Sequence, residues 1–213
     1  MSDLNNGSNI TKDGDLTVNK SVAKEKRFVV SMIENIEMVI FSLAVVILIF
    51  TFFFRLCMVS GDSMNNTLVD SEKLIVTNLF YEPERGDIVV VHQTGALNEP
   101  IVKRVIAVGG EVVDIDFATM QITVTDKNGN SRVIDEPYAF YDKEGNAEVR
   151  YFSHPSDLSF PCTVPDGHVF LLGDNRYNSL DSRFREIGFV DERRILGKVV
   201  FRVYPFDKIG LID

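Results

Sequence analysis

The 213-residue chain has few of the residues that build disulfide, zinc and nucleic-acid-binding proteins. It contains two cysteines, Cys57 and Cys162, three histidines and no tryptophan. Two cysteines are too few for a disulfide framework, and scattered histidines without a Cys/His cluster argue against a metal site. The net charge is −9 and no Lys/Arg cluster forms a basic stripe, which argues against a nucleic-acid partner. With 45% hydrophobic and 25% charged residues, the chain has the composition of a folded protein.

One long apolar run, residues 38–54, contains neither a charge nor a proline. A helix of this length, with the few residues that follow, reaches the roughly 30 Å of a bilayer core. A half-exposed core helix would not be apolar on every side. A cleavable signal peptide is disfavoured because the run is long, starts late and lacks a small-x-small end, and a lipobox ending at Cys57 fails because large residues precede it. We therefore predict an uncleaved anchor helix over residues 28–57.

Basic residues decide the orientation of this anchor. The basic residues nearest before the run are Lys20, Lys24, Lys26 and Arg27. After Arg55 the next basic residue is Lys73. The positive-inside rule then puts the N-terminus in the cytoplasm and everything after Val59 on the outer face of the plasma membrane. The polar residues 1–27 are expected to form a flexible cytoplasmic tail.

The rest of the chain has the pattern of an antiparallel β protein. Short runs rich in Val, Ile, Phe and Thr, such as DIVVVH and HVFLLG, alternate with turn signals, of which Asn128-Gly129 is a strong hairpin signal. We predict a mainly β fold with one N-terminal transmembrane helix. The main β domain would comprise residues 58–113 and 163–213, and residues 114–162 would form an insertion or small subdomain.

The stretch VSGDSMNNTL places Ser63 five residues after Met58. A serine hydroxyl needs a nearby base to become a nucleophile, and none of His92, His154 and His168 lies in a motif that recommends it. Lys103 stands in the apolar run PIVKRVIAV, where desolvation would favour the neutral amine. Both faces of this run are apolar, so alternation does not decide whether Lys103 or Arg104 is buried. From the residues alone, an edge-strand lysine that extends to solvent is the more common case.

Four motifs in order resemble those of one enzyme family. SGDSMNNTL, GDIVVV, KRVIAVGGE and GDNRYNSLDSRFREIGFV are similar to the successive motifs of bacterial type I signal peptidases, of the shorter Gram-positive-like type. Those are membrane-anchored serine endopeptidases with a Ser/Lys dyad that remove signal peptides from exported preproteins. The resemblance covers roughly residues 38–204, and the region 114–162 fits only by length.

The resemblance implies Ser63 as nucleophile, Lys103 as general base and Ser179 as the serine that hydrogen-bonds the lysine amine. It implies a scaffold of ion pairs and hydrogen bonds: Arg104, Asp174, Asn175, Arg176, Asp181 and Arg183. Beside the nucleophile it implies a loop with Gly61, Asp62 and Met64, and substrate contacts at Val59, Gly61 and Val102. Gly173 and Gly188 are expected to serve backbone turns. No cofactor or metal is implied.

Two positions depart from the family pattern. Asn66 stands where a proline often stiffens the turn, and we expect a small loss of rigidity. Gly61 stands where some members carry a serine that assists the oxyanion hole, so the Ser63 N–H would be the main donor and a second donor is unidentified.

The implied substrates are signal peptides with small residues at the first and third positions before the cut. They would bind extended, along strand edges near residues 58–61 and 100–102. The lipid bilayer is the second implied partner, and the secretion translocon is a candidate third.

Three alternatives differ in class. A self-cleaving repressor of the SOS type shares the Ser/Lys chemistry but carries a DNA-binding head, where this chain has the predicted anchor, and the GDNR motif is not typical of such repressors. A catalytically specialised or inactive relative that assists pilin assembly should have lost the serine or the lysine, and both are present. A membrane-tethered binding module would require the ordered motifs to be coincidence.

Overall fold

The computed structural model describes residues 12–92, 99–119, 121–139 and 156–212. His154 and most of the aromatic stretch predicted within the insertion lie outside these residues. The chain divides into two units, residues 1–51 and 52–213.

A single long helix, α1 (Lys12–Phe53), leads the chain. Its segment Lys26–Phe53 is 28 residues long and apolar enough to cross a membrane, by length and composition. The helix therefore begins inside the predicted flexible tail, and residues 1–11 are not described. It ends at Phe53, four residues before the predicted boundary at Cys57, because the next five residues form a strand instead.

Twelve strands follow α1 among the described residues. In chain order they are β1 (Phe54–Met58), β2 (Lys73–Thr77), β3 (Ile88–His92), β4 (Pro100–Val108), β5 (Val112–Asp116), β6 (Gln121–Thr125), β7 (Ser131–Val133), β8 (Cys162–Thr163), β9 (His168–Leu172), β10 (Val190–Asp191), β11 (Ile195–Tyr204) and β12 (Gly210–Leu211). Two short 3₁₀ turns, Glu192–Arg194 and Phe206–Lys208, flank β11.

The strands form two antiparallel sheets. The larger has the order β1-β2-β11-β3-β4-β9-β10, with β12 paired to β11, and the smaller has the order β7-β6-β5-β8. The predicted hairpin is confirmed, since β6 and β7 pair antiparallel across a turn in which Gly129 has a φ of 85°. The predicted mainly antiparallel β fold behind one apolar helix is confirmed. The smaller sheet begins at Val112, two residues before the predicted start of the insertion.

Three apolar clusters fill the β unit. One lies between the smaller sheet and β9 and includes Phe170 and Leu172. A second lies under the loop that follows β1, where Met64 and Leu68 pack with residues of β2 and β3. The third lies around β9 and β10. The second cluster matters most for function, because it fixes the residues on either side of Ser63. Both cysteines are free.

Candidate active site

Ser63 lies on a loop, residues 59–68, that is fixed from several directions. Met64 and Leu68 are 1% and 0% exposed, and the Leu68 N–H donates to the Met64 carbonyl at 2.8 Å. Gly61 has a φ of 85°, a conformation that glycine adopts without strain, and its N–H donates to Asp70 at 2.8 Å. The loop thus buries the side chain after Ser63 and leaves Ser63 itself half-buried at its surface.

Strand β4 brings Lys103 to this serine from forty residues away. The Lys103 Nζ lies 2.6 Å from Ser63 Oγ and donates to the Val102 carbonyl at 3.1 Å. Lys103 and Arg104 are each 3% exposed, so both faces of β4 are covered. The alternation of residue types therefore could not show which of the two side chains is buried. The structure therefore brings together the predicted nucleophile and base, at a distance suited to proton transfer.

The environment of Lys103 favours its neutral form. Burial lowers the pKa of Lys103 from 10.5 to about 8, because a low-dielectric surrounding disfavours the charged amine. The carboxylates of Asp181 and Asp174 act in the opposite direction, while the Arg183 guanidinium adds to the lowering. Desolvation is the largest of these effects, and the result is an amine that titrates near neutral pH.

Arg104 and Asp174 form one buried ion pair beside the lysine. Arg104 donates to the two Asp174 oxygens at 3.0 and 2.9 Å, and to the Gly86 carbonyl at 2.6 Å. The Thr67 hydroxyl donates to Asp174 at 2.6 Å, and Arg202 of β11 donates to the Thr67 carbonyl at 2.7 Å. The nucleophile loop is thereby tied both to the ion pair and to the last long strand.

Asp181 and Arg183 form a second buried ion pair. Arg183 donates to the two Asp181 oxygens at 2.7 and 2.9 Å, and the Gly173 N–H donates to Asp181 at 3.1 Å. Burial alone would raise the pKa of the Asp181 carboxyl, but the charge and hydrogen bonds of Arg183 outweigh it and lower that pKa. Asp181 therefore stays ionised, and its charge is matched by a guanidinium in contact with it.

Asn175 and Asn178 hold the nucleophile loop to the segment after β9. The Asn175 backbone N–H donates to the Ser63 carbonyl and its side chain to the Asp62 carbonyl, both at 3.0 Å. The Asn178 side chain donates to the Asp62 carboxylate at 3.1 Å. Asn178 was missed by the sequence reasoning, although it stands within GDNRYNS. These contacts fix the backbone on both sides of the reactive hydroxyl.

Ser179 differs from what the resemblance implies. Its Oγ is buried without a hydrogen-bond partner, so no bond to the Lys103 amine forms within the described part of the chain. The hydroxyl lies close enough to lower the pKa of Asp181, without hydrogen-bond geometry.

Gly173 does not serve a turn as predicted, since its φ is not positive. Its lack of a side chain serves close packing instead, because a Cβ there would lie 2.5 Å from the Ser63 carbonyl and would collide with Ser179. Gly188, with a φ of 58°, does serve a turn.

The chain that leaves the smaller sheet supports the site from a second side. Glu136 forms a buried ion pair with Arg176, whose Nε donates to the Gly173 carbonyl at 2.8 Å. The ring of Tyr138 lies under the Arg104 guanidinium, 3.9 Å from ring centroid to Cζ. Glu136 and Tyr138 were missed, because they lie in a region where no motif could be matched.

Two strand segments near Ser63 in sequence or in the sheet pair on one side only, within the described residues. β1 pairs with β2 alone, and residues 100–103 of β4 pair with β3, whereas the pairing of β4 with β9 starts at Arg104. Val59 is buried and Val102 half-buried, while Gly61 is exposed. Within the described residues the Ser63 N–H donates no hydrogen bond, and the Gly61 N–H is used by Asp70. Those residues also contain no group of three His, Cys, Asp or Glu side chains that could hold a metal ion.

The chain is similar to known proteins over most of its length. The family described as signal peptidase, peptidase S26, matches residues 32–204. Signal peptidase I of Bacillus licheniformis is 32% identical over 201 residues, which cover 93% of this chain and 100% of that protein. Signal peptidase I of Bacillus amyloliquefaciens is 37% identical over 172 residues, 79% of this chain and 83% of that protein. A crystal structure of a signal peptidase I from Enterococcus faecalis V583 is 28% identical, has a TM-score of 0.43 and covers 55% of this chain and 97% of that one.

Proposed function

The chain belongs to the signal peptidases of the peptidase S26 family and is a serine peptidase, and we propose that Ser63 is its nucleophile and Lys103 its general base. The observation that carries this proposal is the 2.6 Å separation of Lys103 Nζ from Ser63 Oγ inside a buried, charge-balanced surrounding. Among the described residues, no histidine forms a hydrogen bond with Ser63.

Acylation starts from the neutral lysine. The Lys103 Nζ takes the proton of the Ser63 hydroxyl as Oγ attacks the carbonyl carbon of the scissile peptide bond. The tetrahedral intermediate collapses, the Lys103 ammonium gives its proton to the departing amine, and an ester between Ser63 and the signal peptide remains. The free Ser63 N–H supports the role of oxyanion donor, since it has no other partner in the described structure.

Deacylation repeats the proton transfers with water. Neutral Lys103 accepts a proton from a water molecule as the oxygen of that water attacks the ester carbonyl. The Ser63 oxygen leaves and recovers its proton from the lysine, so the enzyme returns to its starting state and the signal peptide is released as a carboxylic acid. The two ion pairs, Arg104–Asp174 and Arg183–Asp181, act as positioning groups, and Asn175 holds the nucleophile backbone.

The substrate is proposed to bind as an extended strand between two edges. β1 with the residues that follow it would offer one edge, and residues 100–103 of β4 the other. Val59 and Val102 are positioned to limit the size of the side chains before the cut, in keeping with a preference for small residues.

The apolar segment Lys26–Phe53 is proposed to anchor the enzyme in the plasma membrane. The basic residues before it favour a cytoplasmic N-terminus, with the β unit on the outer face. Protease added to intact cells without a wall should then cleave epitopes in the β unit and spare the N-terminus. A digested N-terminus with an intact β unit would contradict this orientation.

The central experiment follows processing of an exported preprotein by the full chain in detergent. Ser63→Ala and Lys103→Met should each reduce processing about a thousandfold or more, since members of a catalytic unit fail together. Ser131→Ala and Lys127→Met, at exposed positions, are the matched controls and should process normally. Retained processing in either active-site variant would overturn the dyad. The alternative of an inactive relative that assists pilin assembly predicts no processing by the wild type, and the relatives named above do not support it.

A further inference from the structure

We propose that a cavity at the start of β1 binds the phosphate-bearing headgroup of an anionic membrane lipid. This inference rests on the membrane anchoring in the proposed function. The cavity has a volume of about 280 Å³ and lies entirely within the unit that begins at Phe52. It is at the small end of ligand pockets, which run roughly 300–1,000 Å³, a size that suits a headgroup rather than a whole lipid.

Strand pairing creates the polar end of the cavity. Arg55 lies opposite Val76 in the β1–β2 ladder, and Asn78 follows directly after β2. Arg55 and Asn78 therefore come to the same cavity although 23 residues separate them. A guanidinium and a carboxamide supply several N–H donors, which is the chemistry that binds a phosphodiester.

Arg55 has no ion-pair partner in the described part of the chain. None of the ion pairs among the described residues involves Arg55, and no carboxylate lines the cavity. This is unexpected in a chain of net charge −9, where acidic partners are plentiful. The arrangement leaves a cation open to an anionic ligand.

The rim of the cavity indicates that this ligand has an apolar part. Phe52, Leu79 and Phe80 line the cavity and are 77%, 48% and 96% exposed. Phe80 also has a φ of 49°, a conformation that is uncommon for a bulky side chain and costs free energy. A soluble phosphate would gain nothing from this rim, whereas a lipid would cover it with acyl chain.

The position along the chain agrees with a lipid. Arg55 is the second residue after the apolar segment Lys26–Phe53. If that segment spans the bilayer, Arg55 lies at the level of the headgroups, where anionic lipids are present at high local concentration. The cavity would then join the β unit to individual lipids and restrain the surface that carries Ser63 close to the bilayer.

The test measures lipid binding without turnover. Full chain in a nonionic detergent is titrated with dioctanoyl phosphatidylglycerol, and retained lipid is counted by native mass spectrometry. Wild type should hold one lipid, and Arg55→Gln should bind it about tenfold more weakly, as expected for a lost charge-assisted contact. Arg55→Lys should bind more tightly than Arg55→Gln because it keeps the charge. Arg132→Gln, at an exposed cation of β7, should match the wild type.

Two further measurements identify the chemical class of the ligand. Dioctanoyl phosphatidylcholine, which is neutral overall, should bind less tightly than the anionic lipid, and excess glycerol phosphate should not displace the lipid. Equal binding in Arg55→Gln, equal binding of both lipids, or displacement by glycerol phosphate would each overturn the proposal. Ser63→Ala should retain the lipid as the wild type does. A wild type that processes preprotein but does not bind the anionic lipid would remove this inference alone, and processing by Ser63→Ala would remove the proposed dyad alone.

Discussion

If Lys103 is the general base, as proposed, its titration should set the pH dependence of the enzyme. With its pKa lowered from 10.5 to about 8, the amine is neutral in about one molecule in ten at pH 7, against about one in three thousand at the ordinary value. The logarithm of kcat/KM should therefore rise with slope one up to about pH 8 and then level. Between pH 7 and the plateau the gain should be about tenfold.

The same shift makes the stability of the protein depend on pH. The folded state binds fewer protons at Lys103 than the unfolded state between about pH 8 and 10.5, so linkage requires stability to rise with pH in that window. The full effect of the shift is about 3 kcal/mol. Lys103→Met should lack this rise, which denaturant unfolding of the full chain in detergent at several pH values will measure.

One substitution should move the kinetic midpoint without touching the dyad. The exposed Asp62 carboxylate raises the pKa of Lys103, and Asp62→Asn removes that charge while leaving the backbone carbonyl that Asn175 binds. The midpoint of the pH profile of kcat/KM should therefore shift to lower pH. Asp207→Asn, whose charge is not among those acting on Lys103, is the control. A plateau already reached near pH 6.5, a rise that continues beyond pH 10, or an upward shift in Asp62→Asn would refute the reasoning.

Three further substitutions test the groups around the dyad. Gly173→Ala should abolish processing and cost about 1–3 kcal/mol of stability through overpacking, whereas Gly210→Ala, where a Cβ meets nothing within 4 Å, should change neither. Thr67→Val removes the 2.6 Å bond to Asp174 and should lower the unfolding free energy by about 1–3 kcal/mol; an unchanged midpoint in urea would contradict this. Glu136→Gln leaves a buried guanidinium without its charge partner and should cost about 3–5 kcal/mol, so an unaltered thermal transition would show that the pair does not stabilise the fold.

The proposed dyad could be predicted from the family resemblance, because the motifs that carry it are local. Ser63 and Lys103 each stand inside a short motif, and the strands around them have β-type composition over consecutive residues. The choice between Lys103 and Arg104 could not be predicted, because β4 lies between β3 and β9 and both of its faces are covered. Alternation identifies a buried face only where the other face meets water.

The supporting contacts could not be predicted because they join distant residues without a local pattern. Thr67 and Asp174 are 107 positions apart, Arg202 and Thr67 are 135 apart, and Glu136 and Arg176 are 40 apart. The predicted end of α1 at Cys57 differs from the observed end at Phe53 for a related reason. Residues 54–58 are mostly apolar and continue the pattern of the helix, and only their pairing with β2, seen in the fold, makes them a strand.

The arrangement of charges around Lys103 supports its proposed role as general base. Two carboxylates near a lysine would ordinarily hold it protonated, and Asp174 and Asp181 do raise its pKa. Each of them, however, contacts its own buried guanidinium, from Arg104 and Arg183, and the Arg183 charge itself lowers the pKa of Lys103. Desolvation then dominates and lowers the pKa. The ion pairs therefore do more than position neighbouring groups: they hold the buried carboxylates against guanidinium groups, while burial leaves Lys103 with a pKa of about 8.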